Sequence, residues 1–143
     1  MPRVLGVDPG SKRVGLAISD PSATIAQALV TIAAEPALTL AGRIADIARD
    51  KEAARIVVGL PRRLDGSHGP EAKAAARLAA ELRELSRLPV ELVDERMTTA
   101  AAERAMISGG ASRRERRQDI DRVAATMLLQ SHLDRAMRRR DDH

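Results

Sequence analysis

The sequence predicts an α/β domain built on a mixed sheet with helices covering both faces. Three observations predict it. Three short apolar runs come first, Arg3–Asp8, Arg13–Ser19 and Ile25–Ile32, before any helical pattern begins. Strand-length aliphatic runs then alternate with segments of helical period. Finally, 143 residues with 44% hydrophobic content suit one packed interior without disulfide or metal staples. Neighbouring antiparallel strands followed by strand–helix alternation require a mixed sheet covered on both sides. The expected domain spans residues 1–138, and 139–143 read as a frayed tail.

The elements follow in order. Between the first two strands, Pro9-Gly10-Ser11-Lys12 carries turn chemistry, Pro presetting one dihedral and Gly permitting a positive one. The third run completes an antiparallel meander. Leu38, Ile44, Ile47 and Ala48 then share roughly one face of a helix over Ala37–Lys51. Arg55–Gly59 is a compact buried strand, and Leu60–Pro70 a loop rich in Pro, Gly and Arg. Glu71–Ser86 is a helix on propensity, being dense in Ala, Leu and charged residues. Val90–Val93 is a further strand, and Thr99–Ser108 a helix stopped by Gly109-Gly110. Gly109–Arg117 reads as a mobile basic segment, followed by a last helix from Asp119 to Arg138.

Composition narrows the chemistry by exclusion. The chain has no Cys, which removes disulfides, Cys-ligated zinc or iron–sulfur sites and thiol nucleophiles. It has no Phe, Tyr or Trp, which removes aromatic platforms for stacking bases. Lys+Arg number 24 against 20 Asp+Glu, and only Lys12, Lys51 and Lys73 are lysines. Arginine suits forked contacts to phosphate, although Arg and Ala richness also follows codon bias. The N-terminal apolar run is too short for a signal peptide, and no stretch approaches a membrane span of about 20 residues. A soluble cytoplasmic protein with no membrane contact is the expectation.

Carboxylates are informative where a sheet protein least wants them. Asp8 ends the first strand, and reads equally as an Asx-type turn former before Pro9-Gly10. Asp94-Glu95-Arg96 follows the aliphatic run Val90–Val93, and reads also as a polar strand end leading to a helix capped by Thr98 or Thr99. Asp119 and Asp121 open the last helix, where a carboxylate suits the positive end of the dipole. Asp119 is explained as an N-cap. Asp121 sits beside the stripe Ile120, Val123, Ala124, Met127 and Leu128, so capping covers it less well. The acids make sense together if they converge on hard divalent cations, Mg²⁺ or Mn²⁺, which prefer oxygen ligands. Two such ions can activate a water and stabilise the leaving oxygen in phosphodiester cleavage. His68, His132 and His143 are dispersed, and support neither a Ser-His-Asp triad nor a zinc site.

The glycine-rich stretches carry less. Gly10–Gly15 lacks the Lys after its second Gly that a P-loop needs, and no G-x-G-x-x-G fingerprint occurs. A turn from which Lys12 and Arg13 project is the safer account. Gly59–Gly66, with Arg62 and Arg63, reads as a loop that wraps a substrate backbone or as a merely ordered one. Arg113, Arg114, Arg116 and Arg117 form the strongest local basic patch; such runs are often only solvated, but this one stands just ahead of Asp121.

Val7-Asp8-Pro9-Gly10-Ser11-Lys12-Arg13-Val14-Gly15-Leu16-Ala17 resembles the opening motif of the YqgF-type family. That family comprises pre-16S ribosomal RNA processing nucleases related to Holliday-junction resolvases of the RuvC type. Three further stretches fit in order: Val58-Gly59-Leu60-Pro61 with Asp65-Gly66, then Asp94–Thr99, then Asp121–Ala125 with Leu128-Leu129-Gln130. The resemblance covers residues 4–133. It implies an RNase H-like fold with strand order 3-2-1-4-5, and makes Asp8, Glu95 and Asp121 the metal-binding catalytic carboxylates. In the resolvase relatives the second acid sits on the fourth strand; here that strand ends in Gly59-Leu60-Pro61 and the acid comes from the fifth. Met97, where Leu or Phe is common, and Ile120, where Val is frequent, are the small departures.

The function expected is a divalent-metal-dependent nuclease acting on structured nucleic acid, with maturation of pre-16S rRNA as the role family membership favours. Lys12, Arg13, Arg62, Arg63, Arg96 and the Arg113–Arg117 cluster would grip phosphates. The alternatives are a resolvase of branched DNA, a non-catalytic nucleic-acid or ribosome-associated module, and a small ATPase-like member of the same superfamily, for which the chain is short. The sequence leaves monomer and homodimer equally open.

Overall fold

The computed structural model describes residues 2–10, 12–61, 69–94 and 113–141. Five strands form one sheet: β1 (Arg3–Pro9), β2 (Arg13–Ser19), β3 (Ala26–Ala33), β4 (Ala53–Leu60) and β5 (Val90–Asp94), in the order β3-β2-β1-β4-β5. β1 pairs antiparallel with β2 and parallel with β4, and β4 pairs parallel with β5. The meander and the mixed sheet therefore stand as expected. β3 is an edge strand whose register slips at Leu16/Ala17: Leu16 faces Val30 while Ala17 faces Ala28, leaving Leu29 as the extra residue of a bulge.

Strand alternation divides the interior in two. Leu5, Val7, Leu16, Ile56 and Val58 point to one face. There α1 (Ala37–Asp50) and α2 (Pro70–Ser86) cover them, presenting mainly Ala41, Ile44, Ala48, Ala75, Ala79 and Leu82. Alanines at the helix–helix contact let the two axes come close, which suits a core with no aromatic ring to fill wider gaps. Val4, Ala17, Val57 and Val93 point to the other face and meet Ala125, Leu128, Leu129 and Leu133 of α3 (Arg113–Asp141). Helices thus cover both faces.

The last helix starts at Arg113, six residues before the expected Asp119. Arg113-Arg114-Glu115-Arg116-Arg117-Gln118 are all good helix formers, so propensity extends the helix through a segment whose charge suggested mobility. Asp119 is accordingly interior to the helix, and the N-cap reading fails. The helix runs on through Asp141. The helix expected over Thr99–Ser108, most of the Leu60–Pro70 loop, and Thr98 and Thr99 lie outside the described residues.

Gly6 explains how α3 lies so close to the sheet. A Cβ at this position would stand 2.9 Å from Leu129 Cβ and 3.4 Å from the Ala125 carbonyl oxygen. Glycine is the residue that allows the helix to rest on β1.

Candidate active site

Three anchors orient α3. Ala125 and Leu129 lie over Gly6. Gln130 Oε1 accepts from the Ala26 amide at 2.9 Å, and its Nε2 donates to the Thr24 carbonyl at 2.9 Å, at the start of β3. His132 Nδ1 stands 3.6 Å from Glu91 Oε2 on β5. Ala26 pairs with Ser19, at the opposite end of the sheet from the β1–β2 turn. As its numbering rises, α3 therefore runs away from the end where β1 finishes. Its N-terminal part points toward that end.

Asp8 lies in β1 itself, opposite Gly15, and is half-buried. Asp8 thus occupies the penultimate position of the strand, before Pro9. Period-two alternation puts it on the same face as Gly6, under α3. From Gly6 to Asp8 the chain advances about 7 Å along the strand, and from Ala125 back to Asp121 about 6 Å along the helix. The backbone of Asp121 thus stands one turn beyond the Gly6 contact, on the row that meets the sheet, displaced in the direction of Asp8. Its side chain, like those of Arg113, Arg114, Arg116 and Arg117 on the first turns of α3, lies outside the described part.

Asp94 closes β5 opposite Leu60, beside the same end of the sheet. It alternates with Leu92, which packs against the α1–α2 side, so it faces away from Asp8. Glu95, the next position, lies outside the described residues, as do Arg62, Arg63 and Arg96. Two strand spacings, about 10 Å, separate β1 from β5.

The β1–β2 turn brings basic residues to this end. A Cβ at Gly10 would collide with the Arg13 carbonyl oxygen, so only glycine fits the turn. The Lys12 carbonyl accepts from the Ala34 amide at 2.9 Å, which ties the turn to the end of β3. Lys12 is exposed and Arg13 half-buried. Among the described residues no group of three or more His, Cys, Asp or Glu is close enough to hold a metal ion. A cavity of about 400 Å³ opens on the other face of the sheet, lined by aliphatic groups such as Leu40 and Leu78 with Glu35, Glu71 and Glu81 at its rim. Three carboxylates against Arg77 suit no polyanion.

Two residues gain roles that the sequence did not suggest. His132 is buried, 7% exposed, where α3 covers β4 and β5. Desolvation pushes its imidazole below the usual 6.5, with Glu91 opposing and Arg55, Arg135 and Arg139 adding to the shift. The sequence signal was its place four residues after Leu128, on the buried stripe. Asp20 follows β2 directly, and its carboxylate gathers the Ile25 and Thr24 amides at 2.8 Å each together with the Ser22 hydroxyl. The Ile25 hydrogen bond, then that of Ser22, hold its carboxyl far below the ordinary carboxylate range. It shapes the β2–β3 turn at the end remote from Asp8.

Among the described residues no helix is long and apolar enough to cross a membrane. Known proteins match this chain throughout. A protein of Pelotomaculum thermopropionicum named "Putative pre-16S rRNA nuclease" is 47% identical over 133 residues, covering 92% of this chain and 86% of its own. One of the same name from Bacillus cytotoxicus is 44% identical over 134 residues, covering 92% and 98%. In three dimensions the chain is similar to T. thermophilus RuvC in complex with Holliday junction substrate, with a TM-score of 0.61 at 15% identity and 96% of each chain covered. It is also similar to the Fowlpox virus resolvase with Holliday junction DNA, with a TM-score of 0.59 at 10% identity, covering 94% and 99%. These likenesses establish the RNase H-like fold. Residues 2–135 match the model of the family described as "RuvX: Holliday junction resolvase", and the chain belongs to that family.

Proposed function

We propose that this protein is a divalent-metal-dependent endonuclease that hydrolyses phosphodiester bonds in structured nucleic acid, with Asp8, Glu95 and Asp121 as its catalytic carboxylates. The observation that carries the reading is the placement of Asp8. A half-buried acid on the α3 face of the central strand lies where the backbone of Asp121 advances over the sheet.

The donor set fits hard cations. Three carboxylates with no thiolate select Mg²⁺ or Mn²⁺ over softer metals. Bound there, such ions would supply an activated water and charge stabilisation for the leaving oxygen. The chain's own residues hold and orient. Asp8, Glu95 and Asp121 would supply the oxygen ligands. Lys12 and Arg13 on the β1–β2 turn, with Arg62, Arg63, Arg96, Arg113, Arg114, Arg116 and Arg117, would bind backbone phosphates. The formal charge of +4 counts these three acids as free; once neutralised they leave a more positive surface for a polyanion.

The relatives' names favour precursor 16S rRNA as the substrate and a cytoplasmic role beside the ribosome. The family description favours branched DNA as the second reading. One experiment tests the chemistry and separates the substrates. The full chain is incubated with a precursor rRNA fragment and with a four-way DNA junction, with Mg²⁺ or Mn²⁺ and with chelator, beside Asp8→Asn. Metal-dependent cutting of the rRNA fragment that Asp8→Asn abolishes is the expected result. Cutting of the junction alone moves the assignment to the resolvase. Salt-sensitive binding without cutting of either overturns the nuclease and leaves a binding module.

A further inference from the structure

α3 is basic at both ends and uncharged in its middle. Arginines stand at 113, 114, 116, 117 and 122, then again at 135, 138, 139 and 140, while 123–133 carry no formal charge. The second cluster is remote from Asp8. Two of its members, Arg135 and Arg139, act on His132 together with Arg55 and one carboxylate, Glu91. Arg55 reaches it from β4, with a 4.0 Å ion pair to Glu91.

Ordinary structural needs do not account for this grouping. Cations near a helix C-terminus complement its dipole. That argument covers Arg138 and Arg139 but not Arg55, which belongs to a different element. Nor does Glu91 neutralise three guanidinium groups. The Nε of Arg135 is buried and meets no hydrogen-bond acceptor among the described residues. A forked guanidinium with exposed nitrogens is best satisfied by a planar or tetrahedral oxyanion.

We propose that Arg55, Arg135 and Arg139 form a second phosphate-backbone contact, which holds the distal part of a structured nucleic acid while the scissile bond lies at the Asp8 end. The inference rests on the nuclease reading above and adds a second point of contact to it. Arg135 follows Asp121 by fourteen residues on one continuous helix, about 21 Å along its axis. At 3.4 Å per base pair that separation equals roughly six base pairs of duplex. A long stem engages both ends of α3, whereas a short stem seated at the Asp8 end stops before the second. Preference for an extended structured substrate then follows from the two-point grip rather than from base readout.

The test compares the full chain with the Arg135→Gln/Arg139→Gln double variant. Binding is measured in chelator to hairpins with stems of about 5 and about 20 base pairs, over a range of salt. The expected result is a roughly five- to twentyfold weaker Kd for the long stem and a salt slope shallower by about 2, with the short-stem Kd matching wild type. Arg139→Gln alone, at an exposed position, carries the same test at half the slope change if Arg135→Gln disturbs folding. Equal Kd and slope for variant and wild type on the long stem overturn the proposal. Equal losses on both stems also overturn it, because they place the arginines in the proximal footprint or in the fold. Loss of binding to polyglutamate with hairpin binding intact overturns it in favour of an acidic protein partner. A wild-type chain that cuts its substrate while the variant binds as it does removes only this second contact; a wild-type chain that binds neither stem removes the nuclease reading itself.

Discussion

Gly6 of β1 and Leu129 of α3 approach so closely that a Cβ on residue 6 would stand 2.9 Å from the Leu129 Cβ. That contact sets the height of α3 above the sheet, and the same helix carries Asp121 toward the strand that carries Asp8. Gly6→Ala is expected to lower stability by about 1–3 kcal/mol through overpacking and to reduce cleavage further by lifting Asp121 from its place. Denaturant melts and cleavage rates of the full chain check this. Adding Leu129→Ala should not relieve the overpacking, because alanine keeps the Cβ that the new methyl group meets, so the two effects are expected to add.

Gln130 joins α3 to the edge of the sheet. Its amide receives the Ala26 N–H and donates to the Thr24 carbonyl and to Asp134. Gln130→Ala leaves two partly buried backbone groups of the β2–β3 connection without their partner, at an expected cost of about 1–3 kcal/mol. Hydrogen exchange should quicken at Ala26 before the central strands change.

His132 ties stability to pH. Burial holds its folded-state affinity for protons below that of the unfolded chain, whose imidazole titrates near 6.5. Above that pH both states are neutral and nothing is lost. Below it the unfolded chain takes up the proton first, so stability falls with acidification, by at most about 1.4 kcal/mol per pH unit until the folded state titrates too. Melting temperatures at pH 7.5 and 5.5 should differ less for His132→Gln than for wild type.

Metal binding should be visible without catalysis. On the proposed reading, Mg²⁺ or Mn²⁺ held through Asp8 stabilises the folded state by mass action. At 100 times its Kd the ion is worth about 2.7 kcal/mol. The expected result is a rise in the melting temperature of wild type that chelator reverses and that Asp8→Asn largely removes. An equal rise in that variant would separate metal binding from Asp8.

Legibility followed the range of the interactions concerned. Local pattern sufficed for the strands, because runs such as Ile56-Val57-Val58 have no other stable use, and for α2, whose helix formers act residue by residue. It misjudged the start of α3, since six charged and polar residues satisfy a helix as readily as a loop, and only propagation from the packed stripe after Asp121 decides between them. The carboxylates were found as residue types, but Asp94 and Asp8 are sorted to opposite faces only by the pairing of β4 with β5 and the layers above and below it.

The missing cysteines and aromatics by themselves excluded thiol chemistry and aromatic stacking, and determined that the core is aliphatic. Motif order along the chain determined the family resemblance. Tertiary structure alone decided that a glycine in β1 lets α3 descend, that Gln130 and His132 set the direction in which it runs, and that Arg55 joins arginines eighty and more residues later. The physical reason is that composition and period are properties of neighbours in sequence, whereas the height of a helix over a sheet and the grouping of charges depend on side chains that only folding brings together.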